Sequence, residues 1–180
     1  MTYYEIEELL ISGVFISVNK ARKTLKENSG LGIYCIKLNE GARLINKYQI
    51  HLEKRKHKII NIGKTETQSL YDRLIKQELF AIGHGTFFRS IGTALGYKSK
   101  QGTLSPTGKN FEFSDTDTCE IVKWLFRNVN VNFVQLNKDF YLEKKLIHEI
   151  RPLLNYNHNP DRLYELNLDR SQQINNARIR

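Results

Sequence analysis

Leu31-Gly32-Ile33-Tyr34-Cys35-Ile36-Lys37-Leu38 is the stretch on which the reading of this 180-residue chain turns. β-Branched and aromatic residues dominate it, and Asn39-Glu40-Gly41 closes it with a turn signal, so the pattern predicts a strand. A second apolar run, Ile59-Ile60-Asn61-Ile62-Gly63, reads as its neighbour, and residues 131–136 supply a third strand with Val131, Phe133 and Gln135 on one face. Around these runs, apolar spacing and capping residues predict helices over residues 3–10, 18–27, 69–80, 86–95, 114–127, 138–150 and 161–177. The expected class is α+β: a small, three-stranded, mainly antiparallel sheet flanked by helices, with extra helices at both ends.

Charge narrows the partner. Twenty-eight Lys and Arg against 19 Asp and Glu leave a formal charge of +9. A polyanion suits such a chain, because each neutralised phosphate releases condensed counterions. The basic residues fall in groups: Lys20 to Lys26, Lys54-Arg55-Lys56-His57-Lys58, Lys98 and Lys100 with Lys109, and Arg178 with Arg180. Taken singly, each is by default a solvated charge. No apolar run approaches the roughly 20 residues that cross a bilayer. The acidic opening Met1-Thr2-Tyr3-Tyr4-Glu5-Ile6-Glu7-Glu8 is unlike a basic signal peptide. A cytoplasmic protein without a membrane partner is expected.

Several chemistries are excluded by spacing. Cys35 and Cys119 belong to no zinc pattern with the five His residues, and Cys35 reads as a buried thiol. Gly63-Lys64-Thr65 resembles the end of a phosphate-cradling loop, but Lys58 stands where that loop needs glycine. No GxSxG, HExxH or GxGxxG occurs. Gly83-His84-Gly85 reads as a turn, and Phe87, Phe88, Tyr97 and Trp124 as core rather than stacking platforms.

One residue breaks the pattern of its helix. At about 100° per residue, Phe140, Leu142, Leu146, Ile147 and Ile150 form one apolar arc, and Glu143 falls in its middle. A carboxylate there is costly unless it meets a cation, a metal or several donors. It is either a site residue or a structural glutamate held by a buried arginine. Glu149 lies on another face, against a shared acid–base pair. By spacing alone Arg73 is unremarkable, sitting with Asp72, Lys76 and Gln77 on a polar face.

Taken in order, the pieces resemble the GIY-YIG nuclease family. Gly32-Ile33-Tyr34 matches its first motif, and Asn61-Ile62-Gly63-Lys64-Thr65 stands where the family has Tyr-Ile-Gly. Ser69-Leu70-Tyr71-Asp72-Arg73-Leu74 resembles the helix that presents the family's arginine. Glu143-Lys144-Lys145-Leu146-Ile147, followed by Arg151-Pro152-Leu153-Leu154-Asn155, resembles its last and most specific motif. The resemblance implies residues 29–157 as a nuclease domain with an insert at about 81–113, preceded by a helical segment over 1–28 and followed by a tail over 158–180.

It also implies a metal-dependent DNA endonuclease, with RNA left open. Glu143 would bind one Mg²⁺ or Mn²⁺, Arg73 would contact the phosphate, and Tyr34 would act as base or position the water. Lys64, Asn61 and Asn155 would complete the catalytic set. Lys54, Arg55, Lys56, Lys58, Arg89 and Lys98 are the expected nucleic-acid contacts. Specificity would come from the insert, the tail, a homodimer or a partner protein. The second family tyrosine is replaced by Asn61, and Gln77 stands where some members carry His or Tyr. Two readings therefore remain: an active nuclease relying on Tyr34, or a weak or idle nucleic-acid-binding module on the same fold.

Overall fold

The computed structural model describes residues 1–178. The elements run α1 (Tyr3–Glu7), a π-helical turn (Glu8–Ser12), β1 (Ile16–Ser17), α2 (Val18–Glu27), β2 (Gly32–Leu38), α3 (Asn46–Glu53) and β3 (Ile59–Thr65). They continue with a π-helix (Tyr71–Leu79), α4 (Thr86–Ala94), α5 (Asp115–Asn128), β4 (Val129–Gln135), α6 (Leu142–Ile150) and α7 (Tyr164–Arg178). Arg180, grouped above with Arg178, lies outside the described residues.

The sheet is antiparallel in the order β1-β4-β2-β3. It has four strands where the pattern predicts three. The extra one pairs Ile16 and Ser17 with Val131 and Asn130, and two residues are too few for a periodicity to show. Strand β2 is central, with Tyr34 opposite Gly63 of β3 and Phe133 of β4. Both of its faces are buried, which explains a continuous apolar run rather than alternation. Tyr34, Ile36 and Leu38 join a core with α2, the π-helix, α4 and α5. Ile33 and Cys35 join a smaller one with Ile6, Leu10 and the α6 residues Leu142, Leu146 and Ile147. Phe87 and Phe88 lie in the larger core. Among the described residues no helix is long and apolar enough to cross a membrane.

Two local departures matter for the site. The helix expected from residue 138 starts only at Leu142, because Asp139 adopts φ 66° and cannot continue a right-handed turn. Its far end is as expected, with Arg151 in the left-handed region just before Pro152. The segment after Ser69 is helical, and Ser69 caps it by accepting from the Asp72 amide at 3.0 Å. Its winding is wide, however: the Phe80 amide bonds the Ile75 carbonyl, five residues back, at 2.9 Å.

Candidate active site

Strand β3 is the outer strand of the sheet, and its edge is only partly covered. The Leu153 and Leu154 amides bond the Ile59 and Ile60 carbonyls at 3.3 and 2.8 Å. Asn155 then grips Ile62 with both ends of its amide, accepting from the Ile62 N–H at 2.9 Å and donating to its carbonyl at 2.8 Å. Asn155 thus pins the segment after α6 to β3. Beyond that point a cleft of about 370 Å³ opens. Tyr34, Asn61, Lys64, Arg73, Glu143 and Asn155 all line it. The six residues expected to form the catalytic set share one hollow.

Tyr34 lies across the strand from Gly63, and its side chain is 1% exposed. A Cβ at Gly63 would stand 2.5 Å from Tyr34 Cζ, far inside contact distance. The glycine is therefore the space in which the phenol lies. Gly63→Ala is expected to displace Tyr34 and destabilise the fold by about 1–3 kcal/mol, the usual range for overpacking. Thermal unfolding checks this.

Arg73 is braced by its own helix. Its Nη1 donates to Gln77 Oε1 at 2.9 Å, and its Nη2 pairs with Glu78 Oε1 at 2.7 Å. Glu78 is 1% exposed and was missed by the sequence reading. On a 3.6-residue helix, positions 73 and 78 point about 140° apart, whereas i→i+5 winding stacks them. The other oxygen of Glu78 accepts from the Phe87 and Phe88 amides at 2.9 and 3.2 Å. Helix α4 begins after Gly85, which offers no capping side chain, so Glu78 satisfies its free amides from outside. Gly85 permits the approach, since a Cβ there would collide with the Glu78 carboxylate. Burial pushes the Glu78 carboxyl up, while Arg73 and the two amides pull it down.

The Tyr34 hydroxyl faces this pair. Burial raises its pKa, nearby Glu78 raises it further, and Arg73 opposes both. Glu143 reaches the cleft from α6, on the other side of the sheet edge, half-buried among buried Leu142, Leu146 and Ile147. Burial pushes its carboxyl up as well, against the pull of Lys64 and Lys144. Among the described residues no hydrogen bond or ion pair engages that carboxylate. Asn61 is buried, and its side-chain amide likewise has no protein partner among them. Lys64 pairs with Glu66 at the rim. No group of three His, Cys, Asp or Glu side chains suited to a metal occurs among the described residues.

The expected nucleic-acid contacts differ in exposure and in the partners they already have. Lys54, Lys56 and Lys98 are exposed, and Lys58 pairs with Glu40. Two of the set are engaged within the protein. Arg55 is occupied internally, donating to the carbonyls of His51, Arg151 and Asp161 at 2.9, 3.2 and 3.1 Å. Arg89 is 6% exposed and bonds the His84 carbonyl, so it does not meet a ligand from the surface. A residue absent from the expected set, Arg170 of α7, lines the cleft instead.

A family model described as the GIY-YIG catalytic domain matches residues 32–178, from the glycine that opens β2 to the end of α7. The chain belongs to the GIY-YIG family. The match supports a nuclease in general terms, and it takes in residues 81–113 and α7 together with the motifs. Comparison with curated proteins and with solved structures gives no match. In GIY-YIG terms, the first motif places Tyr34, and the second supplies the glycine that accommodates it.

Proposed function

We propose that this GIY-YIG domain is a metal-dependent endonuclease that hydrolyses DNA phosphodiester bonds. The meeting of a buried phenol, a braced guanidinium and an unpartnered carboxylate in one cleft carries the reading. Hydrolysis needs a water aimed at phosphorus, positive charge on the non-bridging oxygens and help for the departing 3′ oxygen. Arg73, always charged and held by Gln77 and Glu78, presents a fixed fork to those oxygens. Tyr34 positions the water through its hydroxyl. Its raised pKa favours a neutral hydrogen-bonding phenol over a free base. The free amide of Asn61 adds a second hydrogen bond to water or phosphate.

Glu143 would hold one Mg²⁺ or Mn²⁺. A single free carboxylate suits such an ion, which keeps several waters and takes further oxygens from a phosphate. When bound, the ion supplies charge stabilisation for the phosphoryl and leaving oxygens.

Supercoiled plasmid is expected to be nicked in Mg²⁺ or Mn²⁺ and left intact with chelator, with an RNA substrate as the comparison arm. Tyr34→Phe should slow nicking about a hundredfold, the lower end for losing one preorganised hydrogen bond in an active site. The second reading, an idle nucleic-acid-binding module, is favoured by Asn61 in place of a second tyrosine. It predicts salt-sensitive DNA retention without nicking in either metal.

A further inference from the structure

Three guanidiniums, those of Arg73, Arg89 and Arg170, act on one buried carboxylate. Arg73 pairs with Glu78 directly, and the charges of Arg89 and Arg170 both feel it. Glu112 acts on Arg89 from outside the group. The cations repel one another as well, and burial together with Arg170 brings the Arg89 guanidinium down to about 10. In the wall of the cleft Lys64, Arg73, Lys144 and Arg170 stand against Glu78 and Glu143, so positive charge exceeds negative, and partly buried charge in excess calls for a counter-ion.

Arg73 and Arg170 line the cleft, and of these two Arg170 has the less used donors. Of the five N–H donors of a guanidinium, one reaches a protein acceptor among the described residues, Ser90 Oγ at 3.2 Å. Its position does not depend on that bond. Helix α7 is fixed beside it by Asp169, which pairs with Lys47 at 2.7 Å and accepts from Tyr48. It is fixed further along by Gln173 and Asn176, which bond the backbone of Tyr97 and Ser99. The guanidinium is thus carried into the cleft on a rigid support.

We infer that Arg170 forms a second phosphate position in the cleft, which binds the phosphodiester next to the one held by Arg73. The assignment rests on the nuclease reading for its geometry, yet requires only that a polynucleotide enter the cleft. Arg170 is a substrate-binding residue in this view, and the last helix is part of the nucleic-acid interface.

The test uses the full chain with Glu143→Gln, so that bound DNA is not cut. Binding of a fluorescent, unphosphorylated duplex is measured by anisotropy across a salt series. Adding Arg170→Ala should weaken binding about tenfold and reduce the slope of log K against log salt by about 0.9, the value for one phosphate of B-DNA. Arg170→Lys should restore the slope, and affinity in part. An unchanged slope in Arg170→Ala overturns the inference, and so does weaker binding that tracks a loss of thermal stability with the slope intact. An effect seen only with a 5′-phosphorylated end also overturns it. Wild-type plasmid nicking separates the two claims. Nicking with no slope change sinks the Arg170 assignment alone. A slope change without metal-dependent nicking supports Arg170 and sinks the nuclease reading.

Discussion

Arg73→Ala is expected to lower plasmid nicking about a thousandfold, the scale of losing one preorganised donor to a phosphoryl or oxyanion charge. The structure adds a second effect. Removing the guanidinium leaves Glu78, which is 1% exposed, bonded to two α4 amides but without the cation that pairs with it directly. An abandoned buried acceptor costs about 1–3 kcal/mol, so thermal stability should fall with activity. The double variant Arg73→Ala, Glu78→Gln separates the two, because an amide oxygen can still accept from α4 while carrying no charge. It should recover stability and leave nicking lost. Arg73→Lys keeps the charge but not the fork held by Gln77 and Glu78, and should regain little activity. Full nicking in Arg73→Ala would remove Arg73 from the chemistry.

Glu143→Gln is expected to bring nicking below detection while leaving the fold as stable as before, or more so. The carboxylate engages no protein donor among the described residues, and burial is the largest cause raising its pKa. A carboxyl whose folded value is raised favours the fold while protonated. That contribution is complete below the unfolded-state pKa and is lost as pH rises through the folded value. At neutral pH the ionised Glu143 therefore weakens the fold, and glutamine removes the penalty. Thermal unfolding at pH 7 and in mild acid should show the variant's advantage shrinking as the wild-type carboxyl takes up its proton. A large loss of stability at pH 7 would mean that Glu143 is a structural carboxylate.

The sheet and the motif-bearing side chains were legible because each leaves a local trace. The apolar run of residues 33–36 signals a strand buried on both faces, and Glu143 signals itself by interrupting an apolar arc. The two residues that complete the cleft leave no such trace. Glu78 reaches Arg73 only because the helix winds with i→i+5 bonds, and a 3.6-residue template points it elsewhere. Arg170 lies far along the chain, on a helix with only Leu166 and Ala177 buried, and that helix is held by polar bonds to the backbone of Tyr97 and Ser99. The late start of α6 left no trace either, since no apolar spacing marks the left-handed turn at Asp139. Arg55 and Arg89 looked like surface charges because composition cannot show which cations the backbone has already claimed.

The docking of α7 also bears on the order of synthesis. Tyr34, Arg73 and Glu143 all leave the ribosome before Asp169 can reach Lys47 and before Arg170 can join the wall of their cleft. A nascent chain therefore carries those groups before the proposed second phosphate position exists, and the seat for a strand is complete only once α7 docks.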